Sequence, residues 1–207
     1  MPLTPQKVEI FPAIGPDEAG GFPSIGARGC FSIHVAILKQ AKHKRLSNIL
    51  IVEDDLEISA KFRIDQAVIV EQLCQPDWNF VYFGHLAKVK ENSPVALVPF
   101  SEGVMTAHFY AVNGRIFDRL LRFLEELQHR PPGHPDGGPM HLDAAYSTFR
   151  DRNPDVVTLI ASPNLGWQRS SRSDISPNPW LDSVPGLSPL AGAAITSKTR
   201  LKRWFCS

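Results

Sequence analysis

Three carboxylates stand side by side at Glu53-Asp54-Asp55, directly after the apolar run Asn48-Ile49-Leu50-Ile51-Val52. A buried strand that ends in three like charges is suited to one task above others. It can offer hard oxygen ligands to Mn2+ or Mg2+, or to a polyanion held through such an ion. Open α/β sheets bind ligands at the carboxyl ends of their strands, which is where this run stops. The competing reading is purely electrostatic: acids in the first turn of a following helix complement its dipole. The apolar strand in front of the triplet fixes its position and favours the metal site.

Other side chains with chemical potential are scattered. His34 lies among Ile33 and Ile37 and reads as a half-buried structural histidine, with a contact to the acidic site as the alternative. Gln168 and Asp174 carry groups suited to the hydroxyls of a polar ligand, although Asp174 beside Ser173 equally suits a turn. Arg169 and Arg172 among Ser170, Ser171 and Ser173 suit either a phosphate or a solvated loop. His141 and Asp143 form a second small cluster. A metal-dependent hydrolase is a minor reading, because it would need more ligands than one acidic cluster.

The elements that must position these groups alternate. Lys7–Phe11 has the alternation of a short strand, and Cys30–Lys42 has helical apolar spacing with basic residues at its end. The strand Asn48–Val52 is followed by a helix over Phe62–Leu73 and by strands at Trp78–Phe83, Ala96–Phe100 and Ala107–Val112. Asn113 is the expected N-cap of a helix to Gln128, whose stripe Ile116, Phe117, Leu120, Leu121, Leu124 and Leu127 faces the core. A Pro/Gly-rich loop precedes a helix near Asp143–Arg150, and Val156–Ala161 is a late strand. This order predicts the α/β class, a sheet flanked by helices. The expected domain covers 1–176, and 177–207 reads as a Pro/Ser-rich, then basic, tail.

The bulk properties set outer bounds. A chain of 207 residues suits one domain. A net charge of +1 gives no support to nucleic-acid binding. Cys30, Cys74 and Cys206 are odd in number, far apart and without a CxxC pair. That argues against a disulfide framework or a structural zinc site and favours a reducing, cytoplasmic setting. No signal peptide and no apolar run of about 18 residues is visible. The basic-aromatic end, Lys198 to Phe205, suits either a solvated tail or peripheral contact with an anionic membrane such as the inner membrane.

Two families carry an acidic strand end of this kind. Response-regulator receivers also need a phosphoacceptor aspartate on a later strand, and Val95-Ala96-Leu97-Val98-Pro99-Phe100 offers none. The chain resembles glycosyltransferase family 25, the lipopolysaccharide-biosynthesis and procollagen galactosyltransferase type, in five places. Gly29-Cys30-Phe31-Ser32-Ile33-His34 is similar to its Gly-Cys-x-x-Ser-His element, and Glu53-Asp54-Asp55 to its EDD motif. Thr106-Ala107-His108-Phe109-Tyr110-Ala111 and His141-Leu142-Asp143 resemble later segments. Pro163 to Gln168, with Ser173-Asp174-Ile175, resembles the closing ones. Ile33 stands where the family has Ser, and the family's opening strand, which helps hold the nucleotide, has no counterpart. The expectation is therefore an N-terminally shortened domain, from a truncated gene start or in a shortened relative. The resemblance implies an α/β, GT-A-like (Rossmann-like) single domain with a mixed, mostly parallel sheet flanked by helices.

The resemblance implies a metal-dependent transfer of a hexose such as galactose from a UDP-sugar to a glycan acceptor such as lipopolysaccharide core. It implies Asp55 as ligand of Mn2+ or Mg2+, with His141 as a later ligand, and Asp143 as the base that deprotonates the acceptor. Glu102 is a weaker candidate base. Glu53, Asp54, His34, Gln168 and Asp174 would face the donor. A non-catalytic relative that binds a glycan or a protein is the alternative.

Overall fold

The computed structural model describes residues 8–75 and 77–169, and the backbone of 198–202. Four strands run in one direction: β1 (Val8–Pro12), β2 (Asn48–Val52), β4 (Phe80–Tyr82) and β7 (Thr158–Ser162). Three run the other way: β5 (Ala96–Pro99), β6 (Phe109–Asn113) and β9 (Lys198–Lys202). They assemble in the order β1-β9-β2-β6-β4-β7-β5. A separate two-stranded ribbon pairs β3 (Leu56–Ile58) with β8 (Gly166–Gln168).

The α/β class holds, but the expected mostly parallel sheet does not. Among the described residues only β4 and β7 pair in parallel. The helix-strand alternation does produce co-directional strands, as βαβ units must. Antiparallel strands from elsewhere in the chain then slip between or beside them, so the sheet is mixed and mostly antiparallel. β9 lies within the stretch read as a tail, and the sheet takes its backbone in between β1 and β2.

Strand alternation divides the apolar side chains between two faces. Ile49, Ile51, Phe80, Tyr82, Tyr110 and Val112 join the core under α1 (Ile25–His43), α4 (Phe117–His129) and α5 (Leu142–Arg152). Leu50, Val52, Val81, Phe83, Phe109 and Ala111 face the other way, toward Ile69 of α3 (Gln66–Leu73) and partly buried Phe62 of the short α2 (Ala60–Ile64). The predicted stripe of α4 is buried, and that helix lies beside α1. Asn113 does cap, accepting from Arg115 N at 3.1 Å at the head of a 3-10 turn that leads into α4.

Helix α1 begins earlier than its apolar spacing suggests, because the side chain of Ser24 caps Ala27 N at 3.0 Å. Its buried residues Ala27, Phe31, His34, Leu38 and Ala41 follow the helical period. Among the described residues no helix is long and apolar enough to cross a membrane. Cys74 is disulfide-bonded and Cys30 is free; one bridge is not a disulfide framework, but it is a pairing the sequence reading did not foresee. A single bridge needs no spacing motif, so cysteine spacing could not reveal it.

Candidate functional site

Since β2, β4 and β7 are co-directional, their carboxyl ends share one edge of the sheet. That edge carries the acidic triplet after β2, His85 after β4 and Asn164 to Gln168 after β7. Antiparallel β6 enters there, bringing His108, whose carbonyl accepts from Glu53 N at 2.9 Å. Helices α1 and α5 each lead into a strand from the opposite edge. Their N-terminal halves, with Cys30 and Asp143, therefore lie at this edge too.

The chain splits the triplet. Glu53 continues the alternation of Ile49 and Ile51 and turns toward α1. Asp54 and Asp55 occupy a turn closed by Leu56 N donating to Glu53 O at 3.3 Å. β3 follows, and α2 has its own N-cap in Ser59. The triplet is thus not the first turn of a helix, which removes the helix-dipole alternative.

Gln168 reaches the triplet because β8 pairs with β3 in a register that sets Leu56 opposite Gln168. Its amide nitrogen donates to Glu53 Oε2 at 2.7 Å and lies 3.5 Å from Asp55 Oδ2. Arg169 binds the turn from behind, donating to the carbonyls of Asp54 and Asp55. These contacts leave Asp55 Oδ1 buried and without a hydrogen-bond partner. A lone anionic oxygen of that kind fits a hard divalent cation.

Burial, then Asp54, raises the Asp55 carboxyl above its usual range, while Gln168 and His108 oppose the shift. His108 is itself buried, and its Nε2 faces Gly166 O at 3.3 Å. With that nitrogen donating, Nδ1 is left as an acceptor that has no partner. Burial lowers the His108 pKa, against the pull of Gly166 and Asp55. His85 shares the pattern, with Nε2 at 2.7 Å from Ala161 O and Nδ1 unpartnered. Gly84 permits this crowding, since a Cβ there would overlap His108 Nε2 and lie 2.9 Å from Gly166 O.

The expected residues fare differently. Glu53, Asp55 and Gln168 come together directly. His34 is fully buried rather than half-buried, with Nε2 3.9 Å from Glu53 Oε1. Burial pulls its pKa down to about 3, so this contact is not an ion pair at neutral pH. Asp54 is exposed at the turn. Asp143 sits in the first turn of α5, where Oδ1 accepts from Ala144 N at 2.8 Å. It is close enough to raise the pKa of both Cys30 and Glu53.

His141 is the backbone N-cap of α5, and among the described residues no hydrogen bond or ion pair joins it to the triplet. Glu102 uses its carbonyl to accept from Arg150 Nη2 at 2.9 Å. Asp174 and Arg172 lie outside the described residues. Sequence reasoning missed His108 and Cys30 as site residues. An imidazole at the entry to an apolar strand was the available signal for His108. An open groove of about 660 Å³ between α1 and α4, lined by Lys39, Lys42, Asp118 and Glu125, shares no residue with this edge.

Glu53 supplies a pH prediction for chelator-treated protein. Burial, then the charges of Asp55 and Asp54, lift its pKa to about 8, against the opposing bond from Gln168; Asp143 adds to the rise. Cys30 and the neutral His34 face it from α1. A raised carboxyl pKa contributes stability that is present below the unfolded value and lost as pH rises through the folded one. Glu53→Gln is therefore expected to match wild type near pH 4.5 and to exceed it by about 2 kcal/mol above pH 8, the full shift being discounted for partial exposure. Urea unfolding at the two pH values measures the difference, and a variant less stable than wild type at pH 8 would contradict the assignment.

Neither a scan against protein-family models nor a search of curated proteins returns a match for this chain.

Proposed function

We propose that the chain is a divalent-metal-dependent hexosyltransferase of the family 25 type, taking a hexose such as galactose from a UDP-sugar to a glycan acceptor such as lipopolysaccharide core. The observation that carries the reading is the Gln168 bond to Glu53 and its approach to Asp55. Two distant pieces of the resembled pattern meet at the edge of the sheet where ligands bind. A divalent ion there would supply charge stabilisation to the departing diphosphate. Asp55 would hold it through Oδ1, with His108 rather than His141 as the nearby nitrogen donor.

Glu53 and Gln168 form a hydrogen-bonding pair suited to the donor's hydroxyls. Asp143, at the head of α5 and close enough to act on Glu53, would accept the proton of an acceptor hydroxyl in this reading. In this reading the protein works in the cytoplasm, peripheral to the inner membrane. That placement rests on the cysteine spacing and the basic-aromatic end of the sequence, and the Cys74 disulfide does not favour it.

A non-catalytic relative that binds a glycan or a protein is the second reading. It is favoured by the same Gln168 bond, which satisfies Glu53 without any ligand. Calorimetric titration with UDP separates the two. Saturable binding that requires Mn2+ supports the transferase. No UDP binding by folded protein, with or without Mn2+, overturns it.

A further inference from the structure

We propose that Cys30, His34 and Glu53 form a site for one borderline-soft transition metal ion of the zinc class, separate from the hard-cation position at Asp55. The Cys30 thiol, a ring nitrogen of His34 and a carboxylate oxygen of Glu53 lie within 4.8 Å of one another. A tetrahedral ion with bonds of about 2.0–2.3 Å holds its ligand atoms roughly 3.5 Å apart. The His34 to Glu53 separation of 3.9 Å is already close to that value.

The placement follows from local structure. Cys30 and His34 are one helical turn apart on α1 and share a face. Glu53 takes the next place on the β2 face that packs beneath that helix. Each ligand is also held from behind. His34 Nδ1 lies 2.6 Å from Tyr110 Oη, which lies 2.9 Å from Tyr146 Oη. With the proton on Nδ1 donated to Tyr110, the lone pair of Nε2 turns to the cluster. Gln168 holds Glu53 Oε2, which leaves Oε1 facing His34. Outer partners of this kind orient histidine and carboxylate ligands in metal sites.

Ligand chemistry separates the two positions. A thiol and an imidazole with one carboxylate select zinc-like ions, whereas Mn2+ and Mg2+ favour oxygen. Cys30 is free to ligate. Coordination releases the proton of the Cys30 thiol, and that of the Glu53 carboxyl where it is still protonated, to solvent, and three protein ligands leave a fourth position open. The ion's charge would also offset the carboxylates of Asp54, Asp55 and Asp143, all of which act on Glu53.

This assignment does not rest on the transferase reading, and its test uses no turnover. The full chain, stripped with chelator, is titrated with Co2+ and followed by absorption. A thiolate-to-cobalt charge-transfer band in the near ultraviolet is expected at one equivalent, displaced by Zn2+. Cys30→Ser should abolish the band, while Asp55→Asn should keep it. Tyr110→Phe, which keeps all three ligands but loses the orienting bond, should retain the band and weaken Co2+ binding about 10-fold. Absence of the band in wild type, its persistence in Cys30→Ser, or its loss in folded Asp55→Asn overturns the proposal.

Discussion

Asp55→Asn is expected to cut Mn2+-dependent UDP-hexose turnover by roughly 100- to 1,000-fold, the scale on which removing one transition-state electrostatic contact acts. The substitution is nearly isosteric, so any loss reports the charge rather than the shape. Asp55 is the member of the triplet with a buried, unpartnered oxygen. Its carboxyl is raised by burial and by Asp54, so neutralising it relieves repulsion instead of breaking an ion pair. The variant should therefore be at least as stable as wild type, and thermal melting checks this directly. Asp54→Asn, at the exposed corner of the turn, is the contrasting control and should lose less. Full turnover by Asp55→Asn would remove the metal assignment at this position.

Phe80→Ala should destabilise the fold by about 3–5 kcal/mol, lowering the melting temperature by roughly 10 °C in a chain of this size. Phe80 is fully buried in β4. Its ring centre lies 5.5 Å from that of Tyr146, 6.0 Å from Tyr82 and 6.4 Å from Phe149. Those three rings come from β4 itself and from α5, so truncation opens a cavity where sheet meets helix. The same helix carries Asp143 at its head. Loosened packing should thus lower any activity together with stability. Guanidinium unfolding measures the first effect, and a change below about 1 kcal/mol would show that the aromatic cluster is not the keystone of this layer.

The co-directional strands were legible because β2, β4 and β7 are apolar on both faces, and buried strands announce themselves as short hydrophobic runs. Helix α4 was legible for the same physical reason at a different period. The sheet's direction pattern was not. Pairing partners are chosen by edges that meet in space, and nothing in Phe109–Asn113 states that it will lie between β2 and β4. β3 and β8 escaped because each is a three-residue strand with little apolar alternation. Their pairing is what carries Gln168 to Glu53, so the least visible elements build the contact on which the site depends.

The acidic triplet itself was visible, but its division was not. A turn after Glu53 sends one carboxylate under α1, leaves Asp54 exposed and half-buries Asp55, and only the tertiary structure shows which goes where. His108 looked like part of a strand. Cys30 looked inert because metal-binding cysteines are usually sought in CxxC spacing. Here the third ligand would come from the residue that follows β2, which no local motif can encode.

The place of β9 in the sheet has a consequence for how the protein is made. Val52 of β2 pairs with Arg200, and Val8 of β1 with Lys202. A ribosome delivers β1, α1 and β2 first among these elements, and the strand that joins β1 to β2 only after all the other described strands. Until then both strands present open hydrogen-bonding edges to whatever else is in the cell. Contacts between residues so far apart in sequence make closure slow, so the half-made chain is the vulnerable species. Chaperone dependence and losses during expression should fall on this interval of synthesis rather than on the finished fold.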